Sequence, residues 1–162
     1  KVNEAWANVE TVYQRRADLI PNLVSTVKGY AAHEKETLQS VTDARANATS
    51  ISIDPSTATP QQMEAWMKAQ NEVGSALGRL IAISENYPDL KANQNFMELQ
   101  KQLEGTENRI STERRKYNEE VRTYNASIRR FPTNLLAGMF GFDKMTMFEA
   151  QEGAEEAPVV EF

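Results

Sequence analysis

Apolar residues return at every third or fourth position along three long stretches of the chain. The first stretch carries Trp6, Val9, Tyr13, Ile20, Leu23, Val27, Tyr30, Leu38 and Val41. The second carries Met63, Trp66, Val73, Leu77 and Leu80 or Ile81, and the third Phe96, Leu99, Leu103, Ile110, Tyr117, Val121, Tyr124, Ile128 and Phe131. This spacing gathers apolar side chains on one face of an α-helix. Alternation of the strand kind is confined to residues 158–162. The pattern therefore predicts an all-α chain: an up-and-down antiparallel bundle of three long helices at about 3–49, 60–87 and 90–131, with a short C-terminal helix at 133–141. The bundle domain occupies 1–142 and a tail follows at 143–162.

The predicted breaks have local causes. Residues 50–60 combine β-branched side chains, Asp54-Pro55 and several Ser and Thr, which end the first helix. Thr59 reads as an N-cap with Pro60 at the first helical position and Gln62 closing a capping box. Pro88 and Pro132 push Tyr87 and Phe131 out of the helical region and end the second and third helices. Arg129 and Arg130 suit the negative end of the third. Within the pattern, Pro21 removes the hydrogen bond to the residue 17 carbonyl, predicting a kink rather than a break because no turn residue accompanies it. Gly105 interrupts the third helix, and a close helix approach would account for it.

Lengths then conflict. At 1.5 Å per residue the first helix spans about 70 Å and the second only about 40 Å. A second helix packing back from the 50–60 loop reaches no further than Leu23, so the stripe Trp6, Val9, Tyr13 lacks a partner. Either the chain folds back at Pro21, or the stripe meets another molecule by self-association.

Composition narrows the chemistry. The chain has 162 residues, 18 Lys and Arg against 23 Asp and Glu, one His and no Cys. Disulfides, thiolate metal sites and thiol nucleophiles are excluded. The net charge of −5 argues against nucleic acid. Residues 132–162 hold one basic and six acidic groups, which makes the tail acidic and the remainder neutral. A ferritin-like dimetal site needs Glu-x-x-His, yet Tyr30 precedes His33 by three, and Glu104 with Glu107 is an ordinary helical pair. No nucleophile triad or Gly-rich phosphate loop is present. Arg114-Arg115-Lys116 is balanced by Glu113, Glu119 and Glu120. We therefore expect no catalytic residue, no cofactor and no metal.

Two constellations remain. Arg16 and Glu34 fall in or near the apolar phase of the first helix, where charges need partners. In the register above, Arg15 or Arg16 lies level with the 85–89 turn, so Arg15, Arg16, Glu85 and Asp89 are candidates for a structural charge lock; the same charges could instead line a ligand pocket. Tyr117-Asn118 and Tyr124-Asn125 recur seven residues apart on one helix face, either as core with hydroxyls at the rim or as a peptide-binding groove.

Several segments together resemble the LemA family. They are Tyr13-Gln14-Arg15-Arg16-Ala17-Asp18-Leu19-Ile20-Pro21-Asn22-Leu23-Val24, Val27-Lys28-Gly29-Tyr30 and Glu85-Asn86-Tyr87-Pro88-Asp89-Leu90-Lys91-Ala92. They continue with Leu103-Glu104-Gly105-Thr106-Glu107-Asn108-Arg109-Ile110, Tyr117-Asn118, Tyr124-Asn125 and Arg129-Arg130-Phe131-Pro132. The match runs in order over nearly the whole chain; only the 50–60 loop and the tail depart from it. The resemblance implies a bacterial single-pass membrane protein with a soluble helical domain, the cytoplasmic side being slightly favoured. The chain begins at Lys1 inside an amphipathic pattern, so we expect an N-terminal span upstream of it. On this basis the expected role is a membrane-anchored, non-enzymatic scaffold or adaptor with an unidentified protein partner, capable of self-association and not binding nucleic acid. The alternative is a small-ligand receptor or enzyme using the charges near Arg16, Glu85 and Glu107.

Overall fold

A computed structural model describes residues 1–129. It contains α1 (Val2–Lys28), α2 (Lys35–Thr49), α3 (Pro60–Ile83), a short 3-10 turn (Ser84–Asn86), α4 (Pro88–Lys91) and α5 (Gln94–Arg129). There is no strand among the described residues. The four long helices run up, down, up and down as an all-α antiparallel bundle, the most extensive backbone neighbours being α1 with α5, α2 with α3 and α1 with α2. The predicted 133–141 helix, Pro132, Arg130 and the acidic tail lie outside the described residues.

The main departure from the sequence reading is the first helix. It is two helices, separated by a reversal at 29–34, so the bundle has four long members instead of three. At the reversal the Tyr30 and Ala31 amides both donate to the Val27 carbonyl, and the Glu34 amide donates to that of Ala31. Ala31 is fully buried, which anchors the turn in the core. A continuous helix to Thr49 would carry Leu38, Val41 and Ala48 away from any apolar partner. Folding back buries all three against α1 and α3. The reversal also resolves the length conflict: α1 has 27 residues and α3 has 24, so the two are close to equal in length at about 40 and 36 Å.

Pro21 neither breaks α1 nor serves as the fold-back point. The carbonyl it leaves without a helical donor, that of Ala17, accepts a 2.9 Å hydrogen bond from Arg45 Nε on α2. A side chain thus replaces the missing backbone N–H and ties α2 to the middle of α1. Arg45→Met should cost about 1 kcal/mol, the loss of a hydrogen bond to a partly buried carbonyl that has no helical donor. In a Pro21→Ala background, where residue 21 supplies its own N–H, the same substitution should cost markedly less; urea denaturation of the four variants reads the difference.

The other boundaries follow local chemistry. The Thr59 hydroxyl accepts from the Gln62 amide at 3.1 Å while the Gln62 side-chain oxygen accepts from the Thr59 amide at 2.9 Å, completing the predicted capping box. Pro60 and Pro88 open α3 and α4. Gly105 differs from expectation, since a Cβ built there meets nothing within 4 Å. No neighbouring helix approaches it. Gly105→Ala should therefore raise stability by up to about 1 kcal/mol through helix propensity alone, visible as a higher denaturation midpoint with unchanged slope.

Candidate functional site

The core is divided by one polar layer. Above it an apolar cluster contains Ile20, Leu23, Val27, Val73, Leu77, Leu80, Phe96 and Leu103. Below it a second cluster contains Trp6, Val9, Tyr13, Met63, Trp66, Met67, Ile110, Tyr117 and Val121. Between them three helices contribute polar side chains that bond across the core, at positions where the apolar face continues on both sides: Arg16 from α1, Gln70 from α3 and Glu107 from α5. All three are buried, Arg16 with 4% of its surface exposed.

Arg16 is the hub of this layer. Its Nη1 contacts Glu107 Oε1 at 3.1 Å. Its Nη2 donates to the Gln70 backbone carbonyl at 2.6 Å and to the Gln70 side-chain oxygen at 3.2 Å. The guanidinium carbon also lies 5.1 Å from the centre of the Tyr13 ring, within cation–π range. Arg16 Nε has no hydrogen-bond partner. Burial pushes the Tyr13 hydroxyl above its ordinary range, opposed by Arg114, which hydrogen-bonds it, and by Arg16. Burial likewise pushes the Tyr117 hydroxyl up to about 12.

A cavity of about 200 Å³ opens onto this layer where α2 ends; Arg16, Gln70, Glu10, Gln14, Thr49 and Ser52 are among the residues lining it. It exists because α2 stops at Thr49 while α1 and α3 continue below, and the 50–59 loop covers their lower halves incompletely. Partial burial raises the Glu10 carboxyl above its usual value. Among the described residues no group of three or more His, Asp or Glu side chains is placed to hold a metal ion.

The proposed charge lock is not formed. Arg16 sits at mid-bundle on Glu107, whereas Glu85 is at the far end, where Lys91 Nζ donates to it at 2.8 Å. Arg15 and Asp89 are exposed. The error came from the register, which assumed that the first helix continues through 29–34. Glu34 does find a partner, the Tyr87 hydroxyl, at 3.2 Å.

Nor do the proposed interaction residues form one surface. Trp6, Val9, Tyr13 and Tyr117 are core residues. Trp66 lies between Trp6 and Tyr13, tilted to the first and edge-to-face with the second, with ring centres 4.9 and 4.8 Å away, and Tyr117 meets the Trp6 ring at 5.3 Å. The Trp6 indole N–H donates to the Ile53 carbonyl at 3.2 Å, so the 50–59 loop closes over the stripe. Asn125 is buried, and Asn118 and Tyr124 are half-buried. The stripe's partner is therefore the chain itself, through α3, α5 and the loop.

Gln70 and Arg45 were missed. Gln70 could have been found, because it falls between Trp66 and Val73 in the apolar phase of its helix, as Arg16 falls between Tyr13 and Ile20. Arg45 carries no such signal, since its partner is a backbone carbonyl on another helix.

The chain's relatives fit this architecture in extent. It is 29% identical over 171 residues to the magnetosome proteins MamQ 1 and MamQ 2 of Paramagnetospirillum magneticum, covering 95% of this chain and 62% of each relative. It is 25% identical over 152 residues to Protein LemA of Metamycoplasma hominis, covering 94% of this chain and 66% of that protein. The chain thus spans less than two thirds of the length of the MamQ relatives. No helix among the described residues is long and apolar enough to cross a membrane. The LemA family profile matches residues 5–162, which takes in α5, nearly all of α1 and everything between them; the chain belongs to the LemA family.

Proposed function

We propose that this chain is the helical domain of a membrane-anchored scaffold that binds protein partners and performs no catalysis. The observation that carries the reading is the polar layer. Arg16 bonds both Gln70 and Glu107 at mid-bundle and so holds three helices in one register, as a structural element does. Membrane anchoring rests on the family resemblance. In an anchored protein the start of α1 would be the proximal end, and the turns at 29–34 and 84–93 the distal end. That distal end presents Tyr30 and Met97, large apolar residues 42% and 52% exposed.

The test is photo-crosslinking in cells of the full-length protein with a crosslinking residue at Tyr30 or at Met97. We expect the protein to be recovered with membranes and both positions to capture the same protein, with capture lost when Tyr30→Glu is added to the Met97 crosslinker. Recovery outside the membrane fraction overturns the anchoring. Capture that differs between the two positions, or is unaffected by Tyr30→Glu, overturns the distal partner.

A further inference from the structure

α2 has 15 residues against 24 in α3, so the lower half of the bundle is built from three helices and a loop. Residues 51–58 take the place of a fourth helix there, packing Ile51 and Ile53 on the cluster that contains Trp6, Tyr13 and Trp66. The cover is incomplete. Ile51 and Ser52 line the cavity of about 200 Å³ together with Glu10, Gln14 and Trp66, so the segment does not close fully on the helices beneath it.

Few contacts hold this segment down. Pro55 is buried, and Ile51 and Ile53 are half-buried. Among the described residues, the hydrogen bond that joins 51–58 to α1 runs from the Trp6 indole N–H to the Ile53 carbonyl at 3.2 Å. The other bonds stay within the segment or reach the end of α2. Asp54 Oδ1 accepts from the Ser56 amide and hydroxyl, and the Asp54 carbonyl accepts from the Thr57 and Ala58 amides. The Ile51 amide donates to the Ala48 carbonyl at 3.4 Å. The turn at 54–58 therefore keeps its own bonds when it moves, and the cost of lifting it is confined to one hydrogen bond and a few apolar side chains. Lifting a helix would instead expose a buried face along its whole length.

We propose that residues 51–58 form a strap that opens as a unit while the four long helices stay folded, with the Trp6–Ile53 hydrogen bond as its latch. Opening uncovers the Trp6 indole and the aromatic face around it, and closing buries them again. The strap lies at the opposite end of the bundle from Tyr30 and Met97 and does not rest on the scaffold reading.

The latch supplies its own reporter, since the chain has two Trp and hence two indole N–H resonances in a 15N spectrum. Hydrogen exchange of the Trp6 indole N–H in the full chain is followed at several low urea concentrations, beside the backbone amides of Leu23 and Leu103, which are fully buried. The indole should be protected, yet exchange at least about a hundredfold faster than the two amides and respond little to urea, because strap opening exposes little surface. Pro55→Gly removes a buried ring from the strap and should raise the indole rate by roughly tenfold. Leu77→Ala, in the other apolar cluster, should speed the Leu23 and Leu103 amides by at least about tenfold and leave the indole rate unchanged. An unprotected indole overturns the proposal, as does one that shares the rate and urea dependence of Leu23 and Leu103. So does an indole rate unaffected by Pro55→Gly, or one that rises in step with the two amides in Leu77→Ala.

Discussion

Glu107→Leu is expected to destabilise the domain by about 3–5 kcal/mol, a large fraction of the total for a chain of this size. The substitution leaves the Arg16 guanidinium, with 5% of its side chain exposed, without a counter-charge inside the bundle. The cost comes from the stranded charge more than from the lost attraction. Arg16→Met combined with Glu107→Leu should therefore recover most of the loss, because well-packed apolar side chains can replace a buried ion pair at little net cost. About 1–3 kcal/mol should remain, since the Gln70 side-chain oxygen loses the donor it has at 3.2 Å. Urea denaturation of the two single variants and the double variant measures the coupling. Additive losses would mean that the pair does not function as a unit.

Trp66→Ala should be comparably severe, at about 3–5 kcal/mol. Trp66 is 3% exposed and lies between the Trp6 and Tyr13 rings, so truncation opens a void that two aromatic neighbours cannot both fill. Trp6→Ala should cost a similar amount, and it also removes the donor to the Ile53 carbonyl that holds the loop over α1. The location of these contacts makes a second claim. Because α1, α3, α5 and the loop bury the stripe within one chain, the midpoint of thermal unfolding should not move with protein concentration for either the parent or the variants. A midpoint rising with concentration would show that the stripe is completed by a second copy.

How much of this was legible beforehand depended on the range of each interaction. The capping box at Thr59, the helix start at Pro60 and the helix boundary at Pro88 depend on residues no more than a few positions apart, and the sequence reading of them matches the structure. The apolar phase of each helix was equally readable, and so was the anomaly of Arg16 within it. The same phase also carries Gln70 and Glu107, so the three members of the polar layer could be marked as misplaced polar residues one by one. Their pairing could not be read, because it depends on the register between helices 54 and 91 positions apart in sequence.

A single local error carried through to the site. The apolar repeat continues from Val27 to Leu38 and Val41 without a strong turn signal, and Gly29 itself keeps an ordinary right-handed backbone, φ −63°. The reversal at 29–34 is selected by what it achieves at long range: burial of Ala31, Leu38, Val41 and Ala48, and helices of nearly equal length. Misplacing it sent Arg16 toward Glu85 and left Trp6 without a partner. Pro21, the strongest local breaker in the segment, stays inside a helix because Arg45, 28 positions away from Ala17, supplies the missing donor.

By itself, the sequence determined the all-α class, the apolar face of each long helix, the capped start of α3 and the family. Those properties follow from periodicity and from contacts within a turn or two of helix. The tertiary structure alone decided where the first helix reverses, which charge neutralises Arg16, how the Trp6 stripe is covered and that a polar cavity opens where α2 ends. These depend on which surfaces can be buried together at native packing density, a condition that no single segment can satisfy or reveal.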